Sequence, residues 1–277
     1  MLFRILLTCL SVALLVPNFL NRDVNHNMLY DGREQYNPQL ARLNSVDKVE
    51  AYTDSLAQSK QIPTHSFEYL QLLETVIKER FYQGFSHFTL SENWIAAVGG
   101  NLLDEGLACK VNPSDILQHG NAACSQQSLV MMAILRRKTI DYRKIGFPHH
   151  YALEARCGID WFFLDADMEP VLSCTERNAR YWQYHNDELK RFYDENRFTD
   201  LDYKFGVGLQ AERGILNEVP ARKVAAFHLF TAFLSKVLWL VPLAFMVRVP
   251  RLRFSASQIR LFSVFSRIRR SEPALQV

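Results

Sequence analysis

The apolar positions of this chain change period three times, and each change marks a different kind of element. Residues 5–16 (Ile-Leu-Leu-Thr-Cys-Leu-Ser-Val-Ala-Leu-Leu-Val) form an unbroken apolar run behind a lone Arg4. Residues 21–62 are polar and mixed, with Asp31-Gly32 and Asn37-Pro38 as turn signals, and read as a linker carrying one short helix near 45–58. From Ser66 the period becomes helical: Phe67, Leu70, Leu73, Val76, Ile77 and Phe81 recur at three and four, ending near Gly84. Trp94–Val98, before Gly99-Gly100, reads as a second, short helical piece. Asn112-Pro113-Ser114-Asp115 has a cap, a first-turn proline and a first-turn acid, and starts a helix that stops at Gly120. The stretch from Asn121 to Leu135 becomes an apolar helix closed by Arg136-Arg137-Lys138, with Cys124 in its first turn.

The period then drops to two. His150–Arg156 alternates, Cys157-Gly158-Ile159-Asp160 turns, and Trp161–Asp165 returns, which is a β-hairpin. Asp141–Phe147 reads as a third strand. Thr175–Arg197 reads as a polar, aromatic-rich helix that covers a cleft or joins the domain to a membrane stalk. Residues 224–247 are apolar apart from His228 and Lys236, enough to cross a hydrocarbon layer of ~30 Å at about 1.5 Å per residue.

Charge alters this picture only at the ends. Lys+Arg of 32 against Asp+Glu of 29 leaves +3, too even for a strongly basic nucleic-acid binder, and no nucleic-acid partner is expected. After residue 247, however, seven arginines stand against one acid, Glu272, and alternate with Phe254, Ile259, Phe262, Val264 and Phe265. Arginines flanking a span stay cytoplasmic, so the tail 248–277 is expected inside, as an amphipathic helix on anionic lipid. Residues 1–20 are expected to be a signal anchor or signal peptide, and 224–247 a transmembrane helix. The segment 63–200 is the central domain, joined to the span by a linker at 201–223. The domain then faces the periplasm or cell exterior of a bacterium.

Five cysteines without a C-x-x-C pair argue against a structural zinc site or a disulfide scaffold. Cys109, Cys157 and Cys174 are expected in the core or, after export, partly in disulfides. No Gly-rich phosphate loop, H-E-x-x-H or EF-hand loop is present, so no cofactor and no metal are expected. The chemistry converges elsewhere. A cysteine at a helix N-terminus has its thiolate favoured by the helix dipole. Strand parity puts His150 with Ala152 and Glu154 on one face, and Asp165 with Trp161 and Phe163 on one face of the partner strand. Cys124, His150 and Asp165 thus form a nucleophile, a base and an orienting carboxylate. His149 is the alternative base and Asp167 the reserve carboxylate, while Glu154 reads as a structural partner for a basic side chain.

On these residues the chain resembles the transglutaminase-like superfamily of papain-like cysteine enzymes. The motif is Cys124 opening an apolar helix, His150 with Glu154 four on, Trp161, and Asp165 four after the tryptophan. It covers about residues 66–175. Ala122 stands where the family often has glycine, Ala152 where it often has an aromatic, and Asp165-Ala166-Asp167 where Asp-Pro-Thr is common. The resemblance implies an α+β core in which a Cys-bearing helix packs on an antiparallel sheet, here between N- and C-terminal transmembrane helices. It implies acyl transfer through Cys124, His150 and Asp165, with Gln118 as a possible oxyanion donor echoing the papain-like glutamine, and a peptide or protein substrate. The competing reading is a non-catalytic binding or accessory protein of envelope or exopolysaccharide assembly on the same fold.

Overall fold

The computed structural model describes residues 2–25, 30, 32, 34–168, 170, 179–182, 184–193, 200–206 and 211–248. The expected amphipathic tail, Cys174 and much of the expected helix at 175–197 lie outside them. The chain forms two compact units, one of Asn18–Ser235 and one of the two chain ends, up to Pro17 and from Lys236.

The larger unit is α+β. Its helices are α2 (Val46–Ser59), α3 (Phe67–Arg80), α4 (Leu90–Leu102), α5 (Pro113–Ile116) and α6 (Cys124–Arg137). Strands β1 (Tyr142–Gly146), β2 (Tyr151–Cys157) and β3 (Asp160–Leu164) follow, then the short helices α7 (Ala179–Trp182), α8 (Asn186–Lys190) and α9 (Leu201–Phe205), and β4 (Glu212–Arg213). α10 (Arg222–Val237) ends the unit. The sheet is antiparallel in the order β3-β2-β1-β4. Local chemistry sets these elements. Ser45 and Ser66 cap α2 and α3 through their side chains, and Thr89 with Glu92 forms a capping box on α4. Gly158, at φ +62°, makes the β2–β3 turn.

Sheet parity divides the core. Leu153, Ala155, Phe162 and Leu164 face α3 and α6, together with Leu70, Leu73, Ile77, Val130 and Ile134. Ile145, Ala152 and Phe163 face the other way, under Trp182, Leu189, Tyr193 and Phe205. The segments expected as linkers belong to this unit: Leu40 and Leu43 are buried in the main core, and Glu212-Arg213 is the fourth strand.

The expected spanning run 224–247 is two helices, α10 and α11 (Leu240–Arg248), with a break at 238–239. Pro242 explains the break: it has no N–H to donate and its ring collides with the carbonyl four residues back, that of Leu238. Within the larger unit α10 is inverted. His228, Thr231 and Ser235 are buried, while Leu229, Phe230 and Phe233 are exposed. The buried stripe meets α4: Asn93 Nδ2 donates to Thr231 Oγ1 at 2.9 Å and to the His228 carbonyl at 3.2 Å, and Ser235 Oγ donates to Asn93 Oδ1 at 3.1 Å. Trp94 Nε1 adds a bond to the Ser235 carbonyl at 3.0 Å.

In the smaller unit α1 (Leu2–Leu15) packs on α11, with Thr8 Oγ1 3.3 Å from the Met246 sulfur. With the 3-10 turn that follows it, α1 gives an 18-residue apolar helix, Leu2–Phe19, long and apolar enough to cross a membrane.

Candidate active site

The site forms where the start of α6 meets the end of the sheet carrying the β2 N-terminus and the β3 C-terminus. The helix start is clamped. Gln126 Oε1 accepts from the backbone N–H groups of Ser86 (2.8 Å) and Ala123 (3.3 Å). Its Nε2 donates to the carbonyls of Lys110 (2.7 Å) and Ser86 (2.9 Å). Ala122 N–H donates to the Tyr82 carbonyl at 3.0 Å. These bonds fix Cys124 at the first helical position, half-buried, where the helix's leading N–H groups have no intrahelical acceptor.

His150 precedes β2 and is 4% exposed. Its Nε2 lies 2.7 Å from Asp165 Oδ2. The ring stacks on Phe147 at 6.1 Å and meets the edge of Phe205 at 5.3 Å between centroids. Asp165, 1% exposed, follows β3; it also accepts from Tyr193 Oη at 3.0 Å and from Met168 N–H at 3.2 Å, and its own N–H donates to Glu74 Oε1 at 2.6 Å. Among the described residues, Nδ1 of His150 has no hydrogen-bond partner. The sulfur of Cys124, a ring nitrogen of His150 and a carboxylate oxygen of Asp167 all lie within 4.8 Å of one another. Asp167, 6% exposed, is held by Gln127 Nε2 at 3.0 Å through Oδ1, and its Oδ2 has no hydrogen-bond partner among the described residues.

The electrostatics follow from burial and these neighbours. Burial alone would push His150 down, but the Asp165 carboxylate, aided by Cys124, outweighs it and lifts the imidazole to about 10. Burial pushes Asp167 up to about 6 against the opposing pull of His150 and Lys204. The resting arrangement at neutral pH is therefore an imidazolium ring beside the sulfur.

The structure brings Cys124, His150 and Asp165 together, with Asp167 as a fourth member. His149 points away: its ring is exposed and stacks on Tyr203 at 3.9 Å between centroids and 3° between planes. Gln118 is not at the site. Its amide donates to the carbonyls of Asn44 (2.8 Å) and Ser114 (3.2 Å), because its place at the end of the α5 turn directs it towards the 44–45 loop, so both amide protons are engaged away from Cys124. Glu154 is buried against Arg143 Nε at 2.6 Å, its cross-strand partner, and Arg143 in turn lies over the Trp161 ring at 4.2 Å. Cys109 is a buried free thiol, and Cys157 is half-buried with its sulfur directed at the His65 carbonyl.

Three contributors lacked a reading in the sequence. Gln127 lies three residues after Cys124, one helical turn away, and that spacing was a usable signal. Tyr193 and Phe205 come from segments with no regular period. In place of one helix at 175–197, the described residues hold α7 and α8, which lay Trp182, Leu189 and Tyr193 against the sheet over Asp165. Beside the site is a mainly apolar cavity of about 330 Å³, reached by Ser125, Leu129, Tyr151, Lys144 and Val224.

No protein-family profile, curated protein or solved structure matches this chain.

Proposed function

We propose that this is a membrane-anchored thiol enzyme of the transglutaminase-like class, acting by acyl transfer through Cys124, His150 and Asp165. The observation that carries the reading is the buried His150–Asp165 pair at 2.7 Å, with a ring nitrogen of His150 within 4.8 Å of the sulfur of a cysteine at a helix start. The thiolate of Cys124 attacks a peptide or amide carbonyl, forming the C–S bond. The oxyanion is received by the backbone N–H of Cys124, and the His150 proton passes to the departing amine as the C–N bond breaks. Water, deprotonated by His150, then releases the acid and restores the thiol. Asp165 keeps the ring oriented, and Tyr193 keeps Asp165 oriented.

The enzyme domain is assigned to the outer side of a bacterial inner membrane and the arginine-rich tail to the cytoplasm. This rests on Leu2–Phe19, on the paired helices α10 and α11, and on the seven arginines from Arg248 on. A protease added to spheroplasts should reach a tag at residue 30 or 200 and spare the tail, which it should reach only in inverted membrane vesicles; protection of the tag in spheroplasts, with exposure of the tail, reverses the topology.

One observation favours a second reading, a non-catalytic binding or accessory protein: Phe147, Phe205 and Tyr193 cover His150 and Asp165 closely. Iodoacetamide separates the two. Cys124 of an enzyme should alkylate faster than free cysteine at neutral pH, and Cys124→Ala should abolish turnover. Labelling slower than free cysteine, with biological function intact in the alanine variant, supports the binding protein.

A further inference from the structure

We infer that Cys124, His150 and Asp167 form a site for a zinc-type divalent cation, and that the cation acts as a reversible block on the nucleophile. The binding part stands on geometry alone; the blocking part rests on the proposed thiol chemistry.

Donor type points to the ion. One sulfur, one imidazole nitrogen and one carboxylate oxygen are the set that borderline-soft Zn²⁺ prefers, whereas Ca²⁺ and Mg²⁺ take oxygen ligands. The three donors already lie within 4.8 Å of one another. Ligands about 2.0–2.3 Å from a tetrahedral zinc sit closer together than that, so each side chain need shift only slightly. Among the described residues, neither His150 Nδ1 nor Asp167 Oδ2 has a hydrogen-bond partner, and their side chains are 4% and 6% exposed. Such orphaned atoms are expensive in a folded interior unless something visits them.

The surrounding residues are arranged as an outer ligand shell. His150 gives its far nitrogen to Asp165, the carboxylate–histidine pairing that fixes a metal-binding ring and raises its basicity. Tyr193 then braces Asp165, and Gln127 holds the other oxygen of Asp167. Cys124 is half-buried, so its open side leaves a fourth position for water. Binding forms Sγ–Zn, Nδ1–Zn and O–Zn bonds and sends the Nδ1 proton to solvent. The sulfur lone pair that would attack a carbonyl is then occupied.

The test uses the full chain in detergent, treated with chelator and then titrated with Zn²⁺. Binding is read by calorimetry, and iodoacetamide labelling of Cys124 is read by mass spectrometry. One zinc per chain with micromolar or tighter affinity is expected, with labelling slowed at least about tenfold at saturation. Asp167→Asn should weaken zinc binding by at least about 10-fold, since disturbing even an outer-shell partner typically costs about 10–100-fold. Cobalt substitution in the unaltered chain gives a check independent of that variant's folding: a thiolate-to-cobalt charge-transfer band is expected, and it should vanish in Cys124→Ala. Fast labelling in chelator without stoichiometric zinc binding, or cobalt binding without the thiolate band, overturns the inference and leaves the enzyme reading standing. Slow labelling in chelator with tight zinc binding through Cys124 sustains the metal site and overturns the thiol enzyme.

Discussion

Replacing His150 by glutamine removes the cation beside the sulfur while keeping a polar side chain of similar reach. The sulfur and a ring nitrogen are within 4.8 Å. At an effective dielectric near 20, a cationic ring and the negative charge that develops on the attacking sulfur attract by at most about 3.5 kcal/mol at that distance. The whole amount does not appear as rate. A less stabilised thiolate is more nucleophilic once formed, with a Brønsted slope of about 0.4–0.5, so about half of the change cancels. His150→Gln should therefore alkylate with iodoacetamide more slowly than the unaltered chain near neutral pH, by at most about 20–30-fold, because the ionised fraction of the unaltered chain's thiol cannot exceed one. The gap should close as the pH approaches about 10, where His150 of the unaltered chain gives up its proton. Stopped-flow labelling of Cys124 across that range reads both features. A rate at neutral pH equal to or above that of the unaltered chain, or a gap that persists at high pH, refutes the ion-pair account.

Three other substitutions probe the frame that holds the site. His119 accepts from the buried Lys110 ammonium at 2.6 Å, and burial with that neighbour lowers it to about 4. Unfolded histidine takes its proton near 6.5, so this group stabilises the fold above that pH and the stabilisation is lost as pH falls towards 4; between about pH 7 and pH 5, thermal unfolding should show His119→Gln losing about 2 kcal/mol less than the unaltered chain. Glu154→Ala strips the partner from Arg143 and should destabilise by about 1–3 kcal/mol in denaturant unfolding, less than a fully buried pair because Arg143 is 26% exposed; the double change to methionine at 143 and 154 should recover much of it. Asn93→Ala leaves Thr231 and Ser235 facing a void and should cost about 2–4 kcal/mol, seen as faster hydrogen exchange along α10.

The parts of this fold that the sequence makes legible are those written in short-range signals. Ser45 and Ser66 mark helix starts within a residue of α2 and α3, and Gly158 marks a turn whose flanking alternation fixes which residues share a face. That parity is what aligned His150 with Asp165 without any view of the chain in space. Where a signal had two causes, reading it one way failed. Gly99-Gly100 looks like a helix stop, yet α4 continues through both. A Cβ on Gly100 would lie 2.3 Å from that of Ala108, so the glycine is there to admit a close neighbour. Leu40 and Leu43 are too sparse to set a period, and a two-residue strand such as Glu212-Arg213 has none; both are held only by partners far along the chain. Gln118 lies elsewhere for a related reason: its separation from Cys124 is short in sequence, but the bend at His119–Gly120 and the Tyr82–Asn121 bridge come between them.

The run from Val224 to Val247 shows what an averaged apolar count conceals. Hydropathy treats His228, Thr231 and Ser235 as small penalties against a span. In the fold these side chains lie at three- and four-residue spacing on one stripe, and all three are satisfied: Asn93 bonds Thr231 and Ser235, and His228 Nε2 meets the Leu107 carbonyl at 2.9 Å. A helix that turns its polar groups inward carries no desolvation penalty for them, whatever covers its outer face. The apolar residues that dominate the average, Leu229, Phe230 and Phe233, are therefore left as an outward stripe. An exposed stripe of that kind on a helix with a paired polar interior reverses the pattern of a water-facing helix. The same polar stripe that counts against a span in a hydropathy average is thus, by position, what fastens α10 to α4.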